Sequence, residues 1–237
     1  MAHEIPQEKT VKELIDKHRA KVILVGTSHI SKQSEEKIDD AISKHTPDII
    51  CLELDRQRFA ALISGAKSNL SPKLIRHVGV VGYIFVVFAS LVQGQLAKIV
   101  GTKPGLDMMY GYKKGVELQK KVALIDQPIQ KTLHGLSKRF KKREILYMIW
   151  DTLKGMVGRS PLPIKNFDVK KVPPQKTIDN LVGFMKKRYP SLFQILVHER
   201  NIYMVEKLKH LQVKFPDQTI VAVIGAAHKK DMEHMLR

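Results

Sequence analysis

The chain has 237 residues, 43% of them hydrophobic, a formal net charge of +18 and one cysteine. That length and apolar content suit one folded domain with a sizeable core and exclude a disordered chain, while a lone cysteine excludes an intramolecular disulfide and any cysteine zinc finger. The positive charge asks for an anionic partner, but aromatics are only 6% of the chain and no nucleic-acid motif accompanies the charge, which argues against nucleic acid and favours an anionic membrane surface.

Residues 1–9 are polar and lack the apolar core of a secretory leader, which sets the expectation of a cytoplasmic protein, peripheral to a membrane or the soluble part of a membrane protein. A helix is predicted over 10–18, a strand over 21–25, a helix over 34–44 and a strand over 48–54. The strands are short, β-branched apolar runs bounded by turn residues, the pattern of strands buried on both faces in a parallel sheet. Residues 57–119 read as mainly helical. Within them 78–97 carries no charge and is long enough to cross a bilayer, but one crossing would separate the two ends of the chain that the motifs below bring together. It is read instead as a core, interfacial or homo-oligomer helix. A strand over 122–125 and helices over 129–155 follow. Residues 158–174 are rich in Pro and Gly and read as a loop or lid. Helices over 176–188 and 192–211 precede a last strand over 219–224 and a short helix. Strands alternating with helices predict an α/β fold, a mainly parallel central sheet flanked by helices. The chain reads as a single domain over 1–237, with helical insertions at about 57–119 and 132–174 forming a cap over the carboxyl edge of the strands.

Chemistry collects at the strand ends. The runs at 22–25 and 220–224 each lead into Gly-x-x-His: Gly26-Thr27-Ser28-His29 and Gly225-Ala226-Ala227-His228. Ligands of parallel sheets gather at the carboxyl ends of the strands, and a glycine there lets the backbone approach a ligand closely. Glu53 ends the second strand, where a buried carboxylate needs a partner or a metal. Asp126 ends the third, a position that a plain turn residue also suits. Cations follow: Arg56 and Arg58 within a turn of Glu53, and Arg200 within Glu199-Arg200-Asn201 on a predicted helix. Arginine suits two-pronged recognition of carboxylate or phosphate, although for Arg56 a solvated helix face is the favoured reading. The densest basic runs are 138–143 and 186–188.

These residues resemble the TraB/PrgY (pheromone-shutdown) family, distantly related to the GumN and TIKI proteins. The matching stretches run in order from Gly26-Thr27-Ser28-His29 with Ser34, through 47–54 with Arg58, 101–108, and 124–129 with Thr132 and Leu133, to Glu199-Arg200-Asn201 and 225–228. Three positions depart from the pattern. The family usually has Glu at Asp107, Arg at Gln127 and Asp at Asn201. The resemblance implies a site with Glu53, Asp126, Glu199, Arg200 and Arg58 in catalytic roles and Gly26, Ser28, Gly225, Thr132 and Asp107 around the substrate. It also implies a hydrolase acting on a peptide, since TIKI relatives are regarded as metalloproteases and pheromone-shutdown members limit a peptide signal.

The residues themselves leave three functions open. His29, Glu53 and His228 form a two-histidine, one-carboxylate set suited to Mn, Co, Fe or Zn, which would serve a metal-dependent hydrolase of peptides or small molecules. Alternatively a histidine acts directly as base beside Glu53. In the third reading the cleft binds and sequesters a peptide or cofactor without turnover, and Gln127 and Asn201 lean that way.

Overall fold

A computed structural model of the chain describes residues 20–27, 32–65, 75–76, 79, 83, 105–156, 159 and 174–237. The helix predicted over 10–18 and residues Ser28 and His29 lie outside these. So do the apolar stretch 78–97, apart from Gly79 and Tyr83, and nearly all of 158–174.

Four strands form one parallel sheet: β1 (Lys21–Thr27), β2 (Ile49–Leu52), β3 (Lys121–Leu124) and β4 (Thr219–Gly225), in the spatial order β1-β4-β2-β3. The last strand therefore inserts between the first two. Register pairs Thr27 with Gly225, and Leu52 with both Val223 and Leu124. All four carboxyl ends thus line one edge.

Alternating side chains of each strand serve opposite faces. Ile220, Ala222 and Ile224 of β4, with Ile49 and Cys51 of β2, pack against Met204, Val205, Leu208 and Met232. Val221, Val223, Ile50 and Leu52 pack on the other face against Ile38, Ile42 and Met108. The helices on that second face are α1 (Lys32–His45) and α3 (Leu106–Glu117). A short α2 (Arg56–Ser64) precedes α3, its first turn capped by Asp55, which accepts from the backbone N–H groups of Gln57 and Arg58. Gly105 opens α3 at φ 86°, a left-handed conformation that favours glycine. Gly115 brings α3 close to the sheet, since a Cβ there would lie 2.5 Å from Val122 Cγ2.

The remaining helices are α4 (Ile129–Arg139), α5 (Lys142–Met156), α6 (Gln175–Arg188), α7 (Pro190–Phe193), α8 (Glu199–Lys214) and α9 (Ala226–Leu236). A π-helical turn, Gln194–His198, joins α7 to α8 without a break, where the sequence predicted one uniform helix. Both α8 and α9 cover the first face of the sheet. A separate apolar cluster, Leu136, Phe140, Leu192 and Ile195 with Ile145, Met148, Met185 and Tyr189, ties α4, α5, the end of α6 and the π-turn together. The fold is thus the mainly parallel α/β arrangement that strand–helix alternation predicts. Among the described residues no helix is long and apolar enough to cross a membrane.

Candidate active site

β2 consists of four fully buried apolar residues and then delivers Glu53, 2% exposed, to the carboxyl edge. A carboxylate so deep must be paired to stay ionised. The Glu53 backbone N–H extends the ladder to the Val223 carbonyl (3.0 Å), and Glu53 Oε2 accepts from the Gly225 N–H (2.6 Å). Its other oxygen, Oε1, accepts from Arg200 Nη2.

Arg200 also grips Asp126 with two bonds, Nε to Oδ1 at 3.0 Å and Nη2 to Oδ2 at 2.8 Å. Asp126 Oδ2 receives a further bond from Arg58 Nη1 at 2.7 Å. The Leu196 carbonyl, inside the π-turn, accepts from Arg200 Nη1 (3.2 Å). π-turns within helices recur at functional sites. Burial opposes the Arg200 charge, but Glu53 and Asp126 outweigh it and hold the guanidinium's pKa above the ordinary arginine value. Two carboxylates and two guanidinium groups balance in this cluster, so the buried charges cancel.

His228, buried on the first turn of α9, completes the group. Its Nδ1 lies 2.5 Å from Asn201 Oδ1, an acceptor, so this nitrogen carries the proton. The other nitrogen, Nε2, lies on the opposite side of the ring. It faces Arg200 Nη1 and Glu53 Oε1, each 3.3 Å away. Asn201 Nδ2 and Gln127 Oε1 are buried without a hydrogen-bond partner among the described residues.

A cavity of about 430 Å³ opens over this floor. Thr27, Glu53, Arg58, Arg200, Gly225 and His228 supply its polar lining. Ile178, Leu181 and Val182 of α6, with Ala226 and Ala227, supply an apolar wall. The wall thus comes from the helix after the second insertion, a contribution that sequence reading did not assign. Thr27, equally unassigned, donates its hydroxyl to Asp107 Oδ2.

The structure thus gathers Glu53, Arg58, Asp126, Arg200, Gly225 and His228, and sets Asp107 behind Thr27. Other residues singled out from sequence lie apart from the pocket. Glu199 faces α4 and takes two bonds from Arg139, at 2.5 and 2.7 Å, which depress its pKa. Thr132 accepts from Gln127 Nε2 (2.7 Å). Gly26 lines a neighbouring cavity with Lys37, Gln175 and Lys229. Arg56 lines another, of about 440 Å³, on the far side of Asp126. Gln127 and Asn201 bond to Thr132 and His228, and no bond joins them to each other. Asn201 stands beside Arg200 in the matched tripeptide, but its contact with His228 is visible only in the structure. Burial pushes the Cys51 thiol up to about 12, so it is no nucleophile at neutral pH.

An imidazole nitrogen with its partner nitrogen already anchored, facing a carboxylate oxygen, is the donor chemistry of a metal-binding histidine and acid. The set fits on that count, and Arg200 contacts both donors. Among the described residues no group of three or more His, Cys, Asp or Glu side chains forms a metal cluster, and His29 is outside them.

The chain is similar in sequence to several known proteins. The chain is 29% identical over 222 residues to the uncharacterized protein MJ1365 of Methanocaldococcus jannaschii, covering 91% of this chain and 53% of that protein. It is 24% identical over 250 residues to a TraB domain-containing protein of Bos taurus, covering 94% and 64%. The human TraB domain-containing protein is 22% identical over 251 residues, covering 95% and 65%. The chain therefore spans between half and two thirds of the length of these relatives. The profile of the TraB/PrgY/gumN family matches residues 13–236, nearly the whole chain, and the chain belongs to that family.

Proposed function

We propose that this protein is a metal-dependent hydrolase of peptide-like substrates, working at the carboxyl edge of the sheet. One observation carries the proposal: His228 Nε2 and Glu53 Oε1 meet 3.3 Å apart on the floor of the cavity, with His228 Nδ1 fixed by Asn201. His228 and Glu53, with His29 from the neighbouring Gly-x-x-His junction, would hold the metal, which supplies Lewis-acid polarisation of a carbonyl and a more acidic water. Support for including His29 is topological. β1 and β4 are adjacent parallel strands, and Thr27, two residues before His29 in sequence, pairs with Gly225.

The chain's own residues have separate tasks. Asn201 holds the imidazole in one tautomer. The Gly225 N–H fixes the Glu53 carboxylate. Arg200 and Arg58 neutralise Asp126 and bring positive charge to where an oxyanion would develop. The apolar wall of α6 suits a substrate side chain, and the polar floor suits an amide.

A second reading has its own observation. Arg200 already contacts both His228 and Glu53, and a cation there favours a metal-free hydrolase with His228 as general base. Elemental analysis of protein purified without a metal-affinity tag, together with mass-spectrometric assay of peptide cleavage, separates these readings. About one metal per chain, lost in Glu53→Gln and His228→Ala together with cleavage, is the expected result. Cleavage that persists in metal-free protein selects the second reading. Tight peptide binding without cleavage in either form would make the protein a binder.

A further inference from the structure

Away from the pocket, α5 presents an unusual surface. Leu146, Ile149, Trp150 and Leu153 are 66%, 52%, 55% and 52% exposed. Their spacing (i, i+3, i+4, i+7) puts them on one stripe of the helix. Both acidic residues of α5 point the other way. Glu144 accepts from the backbone N–H groups of Ser191 and Leu192 at the start of α7. Asp151 is held by Arg188 and by the Tyr189 hydroxyl. The stripe is bracketed by cations instead. Lys142 and Arg143 lie one turn before Leu146, and Lys154 Nζ stands 5.3 Å from the centre of the Trp150 ring. Lys138 and Lys141, just before the helix, are exposed too.

We propose that this face of α5 docks in the plane of an anionic lipid bilayer. The stripe would enter the headgroup boundary, and Lys138, Lys141, Lys142, Arg143 and Lys154 would meet lipid phosphates and carboxylates. Apolar residues on one face, a tryptophan among them, flanked by lysine and arginine with every acid turned inward, is the chemistry of an interfacial helix. The charge argues against the other occupants. A second copy would set its own Lys138, Lys141, Lys142 and Arg143 against the same exposed cations here, and nucleic acid offers nothing for a Leu-Ile-Trp-Leu stripe.

Trp150 is the only tryptophan, so its fluorescence reports on this face directly. Vesicles of phosphatidylcholine mixed with phosphatidylserine, at low salt, should shift its emission to the blue and carry the protein upward in flotation. Pure phosphatidylcholine vesicles should do so far less. Raising the salt should weaken the effect. Ile149→Glu and Leu153→Glu should each weaken partitioning by at least roughly tenfold. Reversing Lys141 or Lys142 to Glu should weaken it roughly fivefold or more. Both sites are exposed, and unchanged circular dichroism would show that these variants fold. An emission maximum that is already blue without vesicles and indifferent to them would mean that another part of the chain covers the stripe, and would overturn the proposal. So would a blue shift that grows with protein concentration alone, or flotation with an unchanged Trp150 spectrum. None of these readouts depends on hydrolysis, so this proposal and the proposed activity fail independently.

Discussion

Two arginine–carboxylate networks lie within this fold, built from the same chemistry and placed in different surroundings. In one, Arg200 bridges Glu53 and Asp126 at the ends of β2 and β3, under a cavity and beside His228. In the other, Arg188 makes two 2.9 Å bonds to Asp151, which also accepts from the Tyr189 hydroxyl (2.6 Å), and joins α6 to α5. The second network lines none of the cavities described above. Its polar atoms face one another, with the Arg188 guanidinium over the Tyr147 ring at 4.0 Å. The first lines a cavity, with Glu53, Arg58, Arg200 and His228 on its floor. Paired charge by itself therefore does not mark a functional site. Placement at the strand ends, under a cavity, is what makes the first network the candidate site.

Removing the central cation of each network tests the contrast most severely. Arg200→Met leaves two deep carboxylates with only Arg58, and should lower stability by about 3–5 kcal/mol in urea unfolding. Arg188→Met, at a guanidinium that solvent reaches, should cost clearly less. Equal losses would mean that the two networks are equivalent braces.

Next in size are effects on function at nearly constant fold. Glu53→Gln preserves shape and the bond from Gly225, and His228→Ala removes the imidazole. Each should lower peptide cleavage by roughly a hundredfold or more, with circular dichroism unchanged. Asp151→Asn should leave cleavage intact. A comparable drop in Asp151→Asn would move the functional boundary to include α5 and α6.

Gly115→Ala touches neither network and calibrates both. Its methyl would meet Val122 Cγ2 at 2.5 Å, and valine has little rotamer freedom with which to yield. A loss of about 1–3 kcal/mol in urea unfolding is expected, with Glu53 chemistry unaffected. No loss would mean that α3 can slide on the sheet.

The smallest effect is in acid. The Arg188 hydrogen bonds hold the Asp151 carboxyl below the usual carboxylate range, against the opposing pull of burial. Its stabilising contribution is therefore complete above the unfolded value of about 4 and disappears as pH falls through the lower folded value. The stability gap between wild type and Asp151→Asn should be widest near neutrality and narrow below about pH 4. Urea midpoints at several pH values measure it. A gap that widens in acid would contradict this ordering.

Much of the fold was legible because local periodicity needs only sequence neighbours. The apolar runs ending at Val25, Leu52, Ile125 and Ile224 read as strands; β2 and β4 are buried as their pattern predicts, while the outer strands β1 and β3 are partly exposed. Glu53 had to find a partner, because a carboxylate after four buried apolar residues cannot stay charged alone. The two Gly-x-x-His junctions marked an edge of the sheet before any strand order was known. The π-turn was not legible, since one extra residue in a helical turn barely disturbs an amphipathic pattern.

By itself, then, the sequence determined the number and type of strands, the residues at their ends and the family. Tertiary structure alone decided that β4 inserts between β1 and β2. That insertion brings Gly225 to Glu53, and His228 within 3.3 Å of it. It also decided that Arg200 turns to Glu53 and Asp126 while Glu199, one residue earlier, turns to Arg139, and that Asn201 holds the histidine. On one helix, adjacent residues point about 100° apart, and which direction meets the site depends on packing between segments far apart in the chain. The same holds for α5: its apolar residues could be read as core from spacing alone, and only the packed neighbours on its other face leave Leu146, Ile149, Trp150 and Leu153 outward.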